Sequence, residues 1–63
     1  MDAVRFKEII DFAIKKEQEA IDAYTAASEM VKRSNVKEML LGLAKQEEGH
    51  KRKLQSVEPG KIS

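Results

Sequence analysis

The sequence predicts an all-α protein, an antiparallel two-helix hairpin that dimerises into a four-helix bundle. Three observations lead there. Two stretches carry apolar residues at alternating steps of three and four, which places side chains on one face of an α-helix. A short polar link, Arg33-Ser34-Asn35, separates them. A chain of 63 residues is one domain at most, and below about 70–80 residues a staple or a partner is commonly needed.

The first helix is expected over about 2–32. Asp2 is its candidate N-cap. The apolar stripe reads Phe6, Ile10, Ala13, then position 17, then Ala20, Tyr24, Ala27, Val31. The interior holds no Gly or Pro and is rich in Ala, Glu and Lys, which favour helix. Thirty or so residues at about 1.5 Å each make a rod of roughly 45 Å. Such a rod needs a neighbour along its whole length.

Arg33, Ser34 and Asn35 break the stripe. Asn35 followed by Glu38 has capping-box spacing, and Ser34 is the competing cap. A link this short makes its two helices antiparallel neighbours. The second helix is expected over about 35–57, with the stripe Val36, Leu40, Leu43, position 47, position 50, Leu54, Val57. Lys51, Arg52 and Lys53 lie in its last turns, where cations suit the helix dipole. Pro59 and Gly60 stop it. The hairpin therefore occupies 1–58 and a tail occupies 59–63. Met30 and Met39, near the hairpin end, read as gap-filling core. Gly49 disfavours helix by about 1 kcal/mol and reads either as a place where another helix approaches or as incidental.

Composition narrows the function classes. The absence of cysteine excludes disulfides, thiolate metal sites and thiol catalysis, and is consistent with cytoplasmic residence. A net charge of +1 with 37% charged residues is balanced, unlike the basic surplus of a nucleic-acid binder. No apolar run approaches the roughly 18–20 residues of a membrane span. The first residues have no secretory pattern. There is no internal repeat and no low-complexity segment.

Glu17, Glu47 and His50 fill the gaps in the two stripes, where a charge is costly unless compensated. With the turn centred near Ser34, His50 lies about 1.5 Å along the axis from Glu17, and Glu47 about 6 Å. Residues at i and i+3 project from one face, so Glu47 and His50 reach one cavity. Two carboxylates and an imidazole suit iron, manganese or zinc better than calcium or magnesium. In di-iron carboxylate bundles, two helices each give a Glu and two more each give Glu-x-x-His. One hairpin supplies one helix of each kind. Two copies would supply four Glu and two His, and would cover the stripes that one hairpin leaves open.

The stretches FAIKKEQEAIDAYTAASEM and VKEMLLGLAKQEEGHKRKLQ resemble the rubrerythrin branch of the ferritin-like superfamily. The family pattern is a Glu, a Tyr seven residues on, then Glu-x-x-His on the next helix. It falls here on Glu17, Tyr24, Glu47 and His50, and the similarity covers about residues 5–57. The resemblance implies a ferritin-like bundle with two iron ions per dimer. Glu47 would bridge them, Glu17 would be a terminal carboxylate and His50 would bind through one ring nitrogen. Tyr24 would hydrogen-bond a ligand carboxylate of a neighbouring helix. The implied activity is oxidation of Fe(II) by oxygen, or reduction of peroxide, with an external electron donor. No catalytic residue beyond the metal ligands is implied.

The chain departs from the family in three respects. It has two helices where full rubrerythrins have four, and no cysteines for a rubredoxin domain. Ala20 stands where one half of a rubrerythrin has an additional Glu, which puts the peroxidase-specific metal movement in doubt. Two-helix members that dimerise include encapsulin-associated ferritins, but 57–63 shows no obvious shell-targeting tail. Longer relatives repeat such a hairpin, so the chain also reads as the first half of one.

Each residue has a plainer reading. Glu17 would be a charge at the stripe edge, Glu47 a surface partner of Lys51, His50 a helix-terminal histidine, and Tyr24 a core tyrosine with a satisfied hydroxyl. Lys51-Arg52-Lys53 would be helix-end electrostatics rather than a nucleic-acid patch. The alternative function is a structural or interaction hairpin with a redox-inactive metal such as zinc, or with none. Assemblies of dimers stay open.

Overall fold

The computed structural model describes residues 2–57. It contains two α-helices, α1 Ala3–Met30 and α2 Ser34–Ser56, packed against each other as a hairpin. The body is elongated, 47 Å by 17 Å by 13 Å, as a pair of long rods should be. No helix of the described residues is long and apolar enough to cross a membrane.

Asp2 caps α1 as expected. Its backbone is extended, and its carboxylate accepts a hydrogen bond from the Arg5 N–H at 2.8 Å. The expected caps of α2 are corrected. Ser34 is already the first helical residue and Asn35 the second. Arg33 is the N-cap, with no side-chain hydrogen bond. Its backbone carbonyl accepts from Lys37 N–H at 3.0 Å. α2 ends at Ser56, with Lys53 in its last turn. The expected stop at Pro59 and Gly60 and the tail 59–63 lie outside the described residues.

The link is thus Val31–Lys32–Arg33, two residues nearer the N-terminus than the sequence alone suggested. That shift matters for register. Glu17 and Glu47 lie equally far from Lys32, so these two are level along the axis. His50 is the offset one, by roughly 4.5 Å for one helical turn less a fraction.

Every expected stripe residue of α1 is at least half-buried. The most buried residues, however, lie in a row beside the stripe: Ile21 at 7% exposure and Ser28 at 1%, alongside the stripe's own Ile10 at 7%. Ser28 satisfies its hydroxyl on the Thr25 carbonyl at 2.6 Å. On α2 the most buried residue is Ala44, again one step off the stripe. Each helix is therefore rotated slightly within the hairpin. Ala13, Ala20 and Ala27 on α1, with Leu43 on α2, lie at the margin of the contact and are only half-buried.

Two core expectations fail. Met30 is 83% exposed and Met39 59% exposed, because neither lies on the contact side once the helices are rotated. Val57, the last stripe position, is also exposed. A Cβ added at Gly49 would meet nothing within 4 Å, so no contact within the hairpin requires glycine there.

Candidate metal centre

Glu17 sits in the middle of α1, and Glu47 and His50 sit one turn apart on α2. Side chains lean toward the N-terminus of their own helix. Those of α1 therefore tip away from the turn and those of α2 toward it. A residue of α1 meets residues of α2 that are level with it or slightly further from the turn. Glu47 and His50 are the two that meet Glu17.

His50 Nδ1 stands 3.6 Å from Glu17 Oε2 and 3.6 Å from Glu47 Oε1. One donor atom from each of the three residues lies within 4.8 Å of the others. The two carboxylate side chains are about three-quarters buried, at 24% and 23% exposure, while that of His50 is 58% exposed. The site therefore has a floor of two carboxylates between the helices and an imidazole at its open edge.

Glu17 Oε2 is sealed from solvent and accepts no hydrogen bond. A buried carboxylate oxygen without a donor is unusual and calls for a proton or a cation. The pKa of Glu17 is raised accordingly. The largest cause is Glu47, onto which a protonated Glu17 can donate a hydrogen bond. Burial and the Glu47 charge add to it, and His50 opposes. This combination of a crowded carboxylate pair and an adjacent imidazole could hold a metal ion.

The residues fit such an ion. Bonds of about 2.1 Å at tetrahedral angles would separate two donors by roughly 3.4 Å. The 3.6 Å approaches of His50 are close to this. They are too long for hydrogen bonds.

The plainer reading of Glu47 as a surface partner of Lys51 does not hold. Lys51 Nζ turns to α1 and donates to Gln18 Oε1 at 2.5 Å. Tyr24 is half-buried, two turns from Glu17 toward the link. Among the described residues, nothing hydrogen-bonds its hydroxyl. Lys51 and Gln18 were not legible as part of the site from spacing, because both are polar and neither interrupts a stripe. Their only signal is adjacency, one residue after His50 and one after Glu17.

The fold and site define a helical hairpin whose inward carboxylates and histidine converge as a group that could hold a metal ion between its helices. The Rubrerythrin family model matches residues 8–58, most of the chain, and the chain belongs to that family. No curated protein and no solved structure matches it.

Proposed function

We propose that the chain is a ferritin-like di-iron protein. In this reading two copies associate as a four-helix bundle, and Glu17, Glu47 and His50 of each hold two iron ions at a site shared between the chains. The observation that carries it is the buried, unpartnered Glu17 Oε2 facing Glu47 and His50. Manganese or zinc would suit the same donors.

Three features support a second copy. Three donors leave a metal under-coordinated. His50 and the half-buried alanines lie at the margin of the helix contact, where another helix would cover them. The hairpin also exposes large apolar side chains, Val4, Ile9, Phe12 and Leu41, which a second copy would cover.

Held by Glu17, Glu47 and His50, a pair of Fe(II) ions would supply one electron each to a two-electron oxidant such as oxygen or peroxide. The chain's residues do the rest. Glu17 and Glu47 provide negative charge in a partly dry cleft, where it favours the more oxidised metal. The surroundings of Glu17 raise its pKa, chiefly through Glu47, and a bound cation would favour its ionised form. Tyr24 offers an O–H on the same face, for a carboxylate of the neighbouring chain. Cytoplasmic residence and an external electron donor belong to this reading.

The test is metal content by elemental analysis, with mass by light scattering, after reconstitution with Fe(II) without oxygen. About two irons per dimer, lost in Glu47→Ala with the dimer intact, is the expected result. A clean dimer without metal overturns the reading and leaves a structural hairpin with a polar cluster. Oxygen and peroxide consumption by the loaded protein then separates the two oxidants.

A further inference from the structure

Gln18 and Lys51 each follow a metal-site residue in the chain and meet on the other side of the helix contact. Lys51 Nζ donates to Gln18 Oε1 at 2.5 Å, and Gln18 Nε2 donates to Asp22 Oδ1 at 2.9 Å. The second bond orients the first. With its NH₂ turned to Asp22, the amide presents its carbonyl to the ammonium. Among the described residues, Lys51–Gln18 is the side-chain hydrogen bond that joins α1 to α2. Lys51 is half-buried for it, uncommon for a lysine without a partner.

On the site's own side, among the described residues, His50 forms no hydrogen bond that ties the two helices in register. His50 stands beyond hydrogen-bond distance from both carboxylates. Where both are ionised, Glu17 and Glu47 repel each other across the helix pair, which a cation between them would offset. Beside the site, Ala44 and the half-buried Ala20 are small, and Ile21 supplies the large buried side chain.

We propose that Gln18 and Lys51 are positioning residues for the metal centre, their bond holding α2 at the register that keeps the three donors within reach of one ion. The proposal rests on the metal-binding reading above. A donor set fixed before the metal arrives binds more tightly, because less ordering remains to be done on binding.

Co(II) is the probe, because its visible absorption reports donor geometry. It is titrated without oxygen into the full chain at a concentration where the oligomer is complete, with circular dichroism showing each variant folded. Lys51→Met keeps the apolar stem and removes the ammonium. Its Co(II) affinity should fall about tenfold or more, with a changed spectrum. Gln18→Ala should do the same, and the double variant should lose little beyond the larger single loss, since both remove one bond. Val36→Ala weakens the core at the link end and should leave affinity and spectrum at wild-type values. Wild-type binding by Lys51→Met, or fully additive losses in the double variant, overturns the proposal. A wild-type chain that takes up no Co(II) overturns the metal reading itself, before any variant is compared.

Discussion

Glu17 Oε2 and His50 Nδ1 approach to 3.6 Å across the helix pair, with Glu17 Oε2 sealed from solvent and lacking a hydrogen-bond donor. The gap is too wide for a hydrogen bond and suited to a shared cation. The geometry makes the metal-free hairpin electrostatically unfinished, and the expected behaviour of several variants follows from that.

Glu17→Gln should raise the melting temperature of the metal-free protein and abolish the further rise on adding Fe(II) or Mn(II). The amide removes the like-charge contact with Glu47, and it is a poor metal ligand. In the wild type, metal at about 100 times its dissociation constant should add about 2.7 kcal/mol. Thermal melts with chelator and with metal, at one protein concentration, test both halves. A metal-induced rise that survives in Glu17→Gln would count against Glu17 as a ligand.

The pH dependence has a definite sign. Glu17 has a raised pKa in the folded chain, chiefly through Glu47. Its contribution to stability is therefore full below the ordinary glutamate range and is lost as pH rises through the raised value. Metal-free protein should lose stability across that window relative to Glu17→Gln. Loaded protein should show the opposite trend, because binding requires the ionised carboxylate. Denaturant titrations at a series of pH values, comparing wild type with Glu17→Gln, isolate this group from the other titrating residues.

Tyr24→Phe should leave helix content and oligomeric mass unchanged while weakening metal binding by about 10–100-fold, the range for partners that orient ligands. Competition with a chelator of known affinity measures it. Unchanged affinity would return Tyr24 to the role of a core tyrosine.

Ile21→Ala should destabilise the fold by about 2–4 kcal/mol, as for a buried aliphatic truncated to alanine, since Ile21 is 7% exposed. Met30→Ala, at 83% exposure, should stay within about 0.5 kcal/mol. Denaturant midpoints at fixed concentration compare the two. A large effect at Met30 would reveal that the assembled protein covers it.

Asp2→Ala removes the carboxylate that accepts the Arg5 N–H. Loss of such a cap costs about 1 kcal/mol, and fraying should be confined to the first turn of α1. Hydrogen exchange at the amides of the first turn reads this directly.

The sequence by itself determined the two helices, the hairpin and the three residues that converge. Helical periodicity is local, and a Glu or His on an apolar stripe is conspicuous without any knowledge of the partner helix. Asp2 as a cap was legible for the same reason. The link position and the rotation of each helix were decided only in the tertiary structure. Ser34 and Asn35 have the composition of caps, but helical geometry extends through both to Arg33. The consequence is that Glu47, not His50, is level with Glu17. Ile21, Ser28 and Ala44 became the most buried residues because two packed helices settle where their ridges interlock, a property of the pair that neither stripe contains. The same rotation left Met30 and Met39 exposed and brought Lys51 onto Gln18.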